Sequence, residues 1–224
     1  MCGRFAFFAS SSDVVKQFGV SEPISIEPRF NVSPTQLVPV VFSDGDDLVK
    51  LKMLRWGLIP YWAKDKSIGN RLINARVETI SQKPAFREAF FRRRCLVLAS
   101  GFYEWRNAPG GKEPFYIRRS DNKLMGFAGL REVWQSDYES KLETVTIVTT
   151  KANFNLAEIH NRMPIILSSQ KQRLWLDKEL LSIAKLDILM ANQDIKLDIY
   201  PVSKAVNKST AEGKYLINDT TNKL

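Results

Sequence analysis

The chain has 224 residues, of which 44% are hydrophobic, so it can bury a core without a disulfide or a structural metal. Its longest apolar stretches, at residues 95–99 and 144–150, are far shorter than the ~20 residues of a transmembrane helix, which excludes such a span. The net charge of +9, from 33 Lys and Arg against 24 Asp and Glu residues, favours a partner that carries phosphate groups.

The first predicted element is a short helix, which Ser12 or Asp13 caps and which ends near Gly19. A strand is predicted next, at residues 37–42, because apolar and β-branched residues form a run of strand length there.

A second helix is predicted from about Lys83 to Arg93. Its apolar residues Phe86, Ala89 and Phe90 recur at the spacing of one helix face. The run of three arginines at 92–94 ends this helix. Because the helix dipole favours cations at a C-terminus, we expect these arginines to serve the helix rather than a phosphate site.

Strands are predicted to dominate the middle of the chain. Five more apolar runs of strand length are separated by turn residues such as Pro109-Gly110. They lie at residues 95–99, 114–117, 124–130, 144–149 and 164–167. A last helix is predicted where Ser169 and Gln172 have capping-box spacing before the leucines at 174–181, and residues 218–224 are expected to form a loosely ordered tail.

No internal repeat, low-complexity segment or linker divides the chain. We therefore expect one domain over residues 1–224. Its predicted class is α+β, with a mostly antiparallel sheet or barrel-like core and flanking helices.

Cysteine and histidine are scarce in this sequence. The two cysteines, Cys2 and Cys95, and the lack of a secretory signal favour reduced thiols in a cytoplasmic protein, associated with the nucleoid, or in a nuclear protein of a eukaryote. His160 is the only histidine and no paired cysteine spacing occurs, so we predict no metal and no other cofactor.

Cys2 follows the initiator methionine directly. Small second residues permit removal of that methionine, which would leave a cysteine with a free α-amine beside its thiol. The amine has a reference pKa near 7.7–8.0 and the thiol one near 8.5, so both reactive forms are accessible near neutral pH. An amine condenses with an aldehyde to an imine, and a thiol two carbons away closes on the imine carbon as a thiazolidine. The residue therefore predicts an aldehyde substrate.

Several short motifs occur in order along the chain. They are residues 1–5 (MCGRF), 30–35 (FNVSPT), 56–60 (WGLIP) with Trp62, 74–79 (NARVET), 101–105 (GFYEW), 159–164 (IHNRMP) and 201–203 (PVS). Together they resemble the SOS-response-associated peptidase (SRAP) family, whose members cross-link to abasic sites in single-stranded DNA. The resemblance implies a monomer whose partner is single-stranded DNA that contains abasic sites, with no membrane partner.

The resemblance also implies four catalytic roles. Cys2 is the nucleophile, Asn74 orients it and the substrate, Glu104 is the general acid/base and His160 assists. The side chains suit these roles. A buried carboxyl such as that of Glu104 has a raised pKa, the amide of Asn74 cannot titrate, and a histidine such as His160 can transfer protons near neutral pH.

Arginine and tryptophan accompany the catalytic candidates. Guanidinium groups suit bidentate phosphate contacts, and we predict a backbone clamp of three arginines: Arg4, Arg76 and Arg162. Trp62 and Trp105 are predicted to stack on bases, whereas Trp56 is the strongest candidate for the core.

Two other functions remain open at this stage. The first is an N-terminal-cysteine peptidase or amidohydrolase, in which Cys2 attacks an acyl carbon. The same groups could remove Met1 from their own chain, and lyase activity could accompany them as a side reaction. The second is a module that binds single strands without a covalent bond, in which Cys2 plays no part.

Overall fold

The computed structural model describes residues 2–43, 48–136, 141–177, 183–191 and 195–221. The strands are β1 (Phe5–Phe7), β2 (Arg29–Val32), β3 (Leu37–Ser43), β4 (Val49–Trp56), β5 (Asn74–Arg76), β6 (Arg94–Ala99), β7 (Gly101–Ala108), β8 (Gly111–Arg119), β9 (Met125–Trp134), β10 (Leu142–Lys151), β11 (Arg162–Pro164), β12 (Ile166–Leu167) and β13 (Leu197–Pro201). The helices are α1 (Ser11–Phe18), α2 (Pro84–Arg92), α3 (Phe154–Ala157), α4 (Ser169–Leu176) and α5 (Ile183–Ala191), with 3-10 turns at Lys66–Arg71, Lys204–Asn207 and Lys214–Ile217.

Five strands of the larger sheet close into a barrel, in the order β10-β4-β3-β6-β9 and back to β10. β10 closes the ring because it pairs in parallel with β4 and antiparallel with β9. Apolar residues fill this barrel, and all six residues of β6 are buried. The predicted α+β class with a mostly antiparallel, barrel-like core is confirmed.

The smaller sheet has the order β13-β8-β7-β1-β2, and every pairing in it is antiparallel. β1 therefore has a neighbour on each side, and Phe5 pairs with both Phe102 of β7 and Val32 of β2. The ring of Phe5 lies 5.1 Å from that of Trp56 in the barrel. This packing holds the N-terminal strand, with Cys2 just before it, against the barrel.

Asn31 ties the smaller sheet to the C-terminal segment. Its buried amide nitrogen donates to the carbonyls of Lys208 at 2.9 Å and Ala211 at 2.8 Å. Its oxygen accepts from Arg4 at 2.7 Å, and Arg4 also donates to the carbonyl of Val206 at 2.9 Å. One amide thus satisfies polar groups from both ends of the chain, near Arg4 and in the segment 208–211.

The predicted first helix is present as α1, but its predicted cap is wrong. Ser10 caps it instead, because the Ser10 hydroxyl accepts from the Asp13 backbone while the Asp13 carboxylate accepts from the Ser10 backbone. The predicted end is confirmed: Gly19 has a φ of 67°, a left-handed conformation that glycine adopts without steric cost.

The second helix is confirmed as α2, with Phe86, Ala89 and Phe90 buried. The structural interpretation of its arginines is also supported. Arg94 lies in β6, and its guanidinium donates to the Phe90 carbonyl at the end of α2 and to the Trp175 carbonyl at the end of α4.

The last predicted helix begins as predicted, as α4, but without a capping box. Ser168 occupies the cap and makes no side-chain cap bond. Gln172 instead donates to the Leu167 carbonyl at 2.8 Å. Positions 178–181 of the prediction lie outside the described residues.

The predicted strands are present as β3, β6, β8, β9 and β10, several of them longer than predicted. The exception is the run 164–167, which is divided between β11 and β12. The division falls at Ile165, which donates to Val148 of β10 and accepts from Ala128 of β9, so that the chain passes from one neighbour to the other.

The predicted tail is only partly described. Thr220 donates through its backbone and its hydroxyl to the Pro201 carbonyl, so residues 218–221 are anchored rather than loose, and 222–224 lie outside the described residues. Within the described ranges, no helix has the length and hydrophobicity needed to cross a membrane.

We predict that Asn31→Ala lowers the free energy of unfolding by about 2–4 kcal/mol, because it leaves the Arg4 guanidinium and two carbonyls without their partner, and each such loss costs about 1–3 kcal/mol. Urea titration of the variant checks this. The exposed Asn155→Ala is the control and should change stability by less than about 0.5 kcal/mol. Equal losses in both variants would show that Asn31 does not hold the segment.

Candidate functional site

Cys2 is fully buried at the entry to β1. Its carbonyl accepts from the Asn74 amide nitrogen at 2.8 Å, and the backbone N–H of Arg4 is directed at its sulfur. Burial, and then the negative charge of Glu104, raise the pKa of the Cys2 thiol well above its usual value, whereas the Arg4 N–H opposes this shift. The thiol is therefore protonated at neutral pH and needs a local proton acceptor to react.

Asn74 is placed beside Cys2 by β5, which pairs in parallel with β10 through Ile147. The amide nitrogen is engaged with Cys2, but the buried oxygen Oδ1 has no hydrogen-bond partner among the described residues. A buried acceptor in this state is costly in free energy. It is available to a donor on a substrate.

Glu104 lies on β7 and is only 2% exposed. It shares one side of β7 with Phe102, whose ring packs on Phe127 of the barrel, while Tyr103 faces the C-terminal segment. The carboxyl therefore points toward the barrel. Burial raises the pKa of Glu104 to about 7. A group with this pKa can both donate and accept a proton near neutral pH.

His160 lies between α3 and β11, and its backbone N–H donates to the Leu156 carbonyl at 2.9 Å. Its ring nitrogen Nδ1 lies 3.0 Å from the Arg162 backbone nitrogen and 3.2 Å from the Arg162 carbonyl oxygen. When the Arg162 N–H donates to Nδ1, the neutral ring carries its proton on Nε2. Burial lowers the pKa of His160, and the charge of Lys112 lowers it further. The ring is thus a neutral donor.

Lys112 is a residue that the sequence analysis missed. It is exposed near the start of β8, where the β7–β8 hairpin begins its return. Burial has the largest effect on the pKa of Glu104 and of His160, and the charge of Lys112 has a smaller effect that lowers both. The Lys112 ammonium group therefore lies within electrostatic reach of both side chains.

β10 brings the separate motifs together. At Thr149 it is flanked on one side by Arg76 of β5 and on the other by Pro164 of β11. Asn74 and His160, which are distant in sequence, therefore lie at the same end of the barrel.

The three predicted clamp arginines have different environments. Arg76 is exposed, and Arg4 is bound to Asn31. Arg162 is buried, with both terminal nitrogens bonded to Glu78 and one also bonded to the Thr149 carbonyl at 2.7 Å. Arg162 therefore braces β10 within the protein, and a phosphate would compete with Glu78 for it. Glu78 was not among the predicted site residues, although it lies within the motif at residues 74–79.

The tryptophans also differ. Trp56 is fully buried, which confirms its predicted place in the core. Trp62 is 49% exposed and presents a ring surface to solvent. Trp105 is half-buried, with its indole nitrogen held at 2.7 Å by Asn207. The described residues contain no group of three or more His, Cys, Asp or Glu side chains that could hold a metal ion.

The chain is similar to several known proteins over nearly its whole length. The family model described as SOS response associated peptidase (SRAP) matches residues 1–209. Abasic site processing protein YoqW of Bacillus subtilis is 39% identical over 97% of this chain and 99% of its own length. Abasic site processing protein YedK of Escherichia coli is 32% identical over the same shares. A crystal structure of a protein from Bacteroides thetaiotaomicron is similar with a TM-score of 0.87 and 27% identity, over 97% of this chain and 99% of that one.

We predict that Glu104→Gln removes a pH dependence of stability. Because the pKa of Glu104 rises from 4.5 to about 7 on folding, the contribution of Glu104 to the wild-type free energy of unfolding falls as pH rises from about 4.5 through 7. A glutamine does not ionise and loses no stability in this way. Between pH 4.5 and 8, the free energy of unfolding of the variant should therefore rise relative to that of wild type by roughly 1–3 kcal/mol. Urea titrations at several pH values, with the exposed Glu22→Gln as control, measure this. Parallel curves for wild type and Glu104→Gln would contradict the buried-carboxyl assignment.

Proposed function

The chain belongs to the SOS response associated peptidase (SRAP) family, and we propose that it processes abasic sites by bonding covalently to them in single-stranded DNA through Cys2. The observation that carries the proposal is the burial of Cys2 and Glu104 together, with Asn74 bonded to the Cys2 carbonyl. Two curated relatives that cover almost the whole chain are named abasic site processing proteins.

The proposed reaction begins once Met1 has been removed and Cys2 carries the α-amine. The amine adds to the aldehyde carbon of the opened sugar and gives a carbinolamine. Glu104, with a pKa of about 7, donates a proton to the departing hydroxyl, so that water leaves and an iminium ion forms that keeps its N–H. The thiol then gives its proton to the Glu104 carboxylate as its sulfur bonds to the iminium carbon, which returns Glu104 to its acid form. The products are a thiazolidine and one water molecule.

The other polar groups would position the substrate. The Asn74 oxygen would accept a hydrogen bond from the α-amine or from a sugar hydroxyl, because it is buried and lacks a partner among the described residues. His160 would donate from Nε2 to the sugar oxygen as the ring opens. Arg76 is the most accessible of the proposed phosphate contacts, since Arg4 is bonded to Asn31 and Arg162 to Glu78. Trp62 and Trp105 would stack on bases.

A peptidase activity is the second candidate, and the family description favours it. The cut would be the removal of Met1: the Cys2 thiol adds to the Met1 carbonyl carbon, and the amide bond breaks as its nitrogen takes the thiol proton by way of Glu104. Water then hydrolyses the thioester, which releases methionine and frees the thiol. Strand cleavage by β-elimination is a possible fate of the imine. We place the protein, as a monomer, in the compartment that holds the cell's DNA.

We predict that Cys2→Ala abolishes the cross-link and leaves most single-strand binding intact, because the aminothiol forms the bond while cations and rings supply the affinity. Incubation with a strand that holds one abasic site, followed by a denaturing gel, measures the adduct, and a native gel measures binding. Cys95→Ala is the matched control, since it removes the other buried cysteine, and it should cross-link like wild type. A denaturation-resistant adduct in Cys2→Ala would end the proposal.

We further predict that Glu104→Gln slows cross-linking by about 10²–10⁴-fold while binding barely changes, because a positioned acid typically contributes that factor. In the wild type, the rate should decline above pH 7, where the acid form of Glu104 is lost. The variant should lack this decline. Single-turnover rates from pH 5 to 9 test both points, and wild-type rates in the variant would assign the proton transfer to another group.

A further inference from the structure

Phe154 is the most exposed large hydrophobic residue that the structure describes. Its exposed fraction is 88%, compared with 58% for Tyr61 and Leu37. An aromatic side chain that is solvated on nearly all sides forfeits the favourable free energy of burial. A ligand with a flat apolar surface would recover it.

The residue does not lie on a loose loop. Phe154 opens α3, whose first turn is capped by Asn153: the Asn153 side chain accepts from the Leu156 backbone at 3.1 Å, and its carbonyl accepts from Ala157 at 2.9 Å. Leu156 is fully buried and fixes the turn to the core. The ring is therefore held outward by a fixed backbone.

The same turn holds His160. The Leu156 carbonyl accepts from the backbones of Ile159 and His160, both at 2.9 Å. The base of this loop is closed where Ala152 donates to Asn161 at 3.1 Å and Lys151 pairs with Arg162. Phe154 and His160 are six residues apart on this turn, and a helical rise over six residues is about 9 Å, which sets the scale of their separation.

We propose that Phe154 stacks on a nucleobase of the bound single strand, close to the abasic site. This inference rests on the proposed function. Stacked nucleotides follow one another at about 3.4 Å, so a base one to three nucleotides from the lesion is within reach. Stacking on an aromatic ring needs no particular base, which suits a protein that must act at lesions in any sequence.

The charges around Phe154 agree with a nucleic-acid ligand. Lys151 is exposed at the end of β10, and the exposed Arg76 is at the level of Thr149 on the neighbouring strand β5. Glu158, the acidic residue of this turn, is at its far end, after α3. These two cations thus lie on the strands that lead into the turn of Phe154, where they can contact phosphates of a strand whose base stacks on the ring.

The test uses 2-aminopurine, a fluorescent base that is quenched when it stacks. Strands carry a non-reactive tetrahydrofuran analogue of the abasic site and one 2-aminopurine at each of the three positions on either side. In the wild type, quenching should peak at one position. Phe154→Ala should abolish that peak and weaken binding by about 5- to 100-fold.

Two further variants separate stacking from general hydrophobicity. Phe154→Trp should keep the quenching, whereas Phe154→Leu, which keeps the apolar volume but has no ring, should lose it. Leu174→Ala removes another exposed apolar side chain, on α4, and should leave both quenching and affinity unchanged. Circular dichroism of Phe154→Ala should match wild type, since the buried Leu156 is intact.

A covalent assay on a true abasic strand keeps the two proposals apart. If wild type forms no adduct, the proposed function fails. If wild type cross-links but Phe154→Ala binds and quenches as wild type does, the stacking inference alone is overturned, and Phe154 belongs to a surface for another partner.

Discussion

The site depends on the position of β1 between β7 and β2. A terminal strand at the edge of a sheet would leave Cys2 in water, whereas pairing on both sides buries it against the barrel. β7 in turn packs tightly on β8 at Gly101, the residue that pairs with Ala6 of β1: a Cβ at this position would lie 2.4 Å from the Tyr116 ring and 2.6 Å from the Ile117 carbonyl oxygen, both of β8. A single hydrogen atom in place of a side chain thus permits the strand packing on which the nucleophile depends.

The same burial sets the electrostatics. The thiol and the carboxyl both lose solvation, so the thiol stays protonated near neutral pH while the carboxyl, with a pKa of about 7, is divided between its acid and ionised forms. The folded protein carries an ionisable group in its interior and a buried Asn74 oxygen that lacks a partner among the described residues, and both oppose folding. The large aromatic core and the Asn31 hydrogen bonds offset that cost. Stability and reactivity are therefore supplied by different residues.

Periodicity and motif order predicted much of this molecule. The apolar spacing at Phe86, Ala89 and Phe90 identified α2, and runs of β-branched residues identified most barrel strands, because both patterns record burial of one face. Local patterns could not fix the cap of α1, where Ser10, Ser12 and Asp13 all offered polar side chains. Nor could they reveal that Arg162 is bonded to Glu78 or Arg4 to Asn31, since each of these pairs is made only by tertiary packing. The residue types at the site were predictable, but their partners were not.

The bonds of Asn31 and Arg4 bear on how the protein is made. Both side chains donate hydrogen bonds to backbone carbonyls between Val206 and Ala211, which the ribosome adds some two hundred residues after Cys2. During translation the reactive cysteine emerges long before the segment that braces its strand, and domains complete their packing only when their parts are available. A nascent chain whose synthesis stopped early would therefore expose the Cys2 thiol without the segment between Val206 and Ala211 that braces its strand. Assembly of the nucleophile's site is coupled to nearly complete synthesis of the chain.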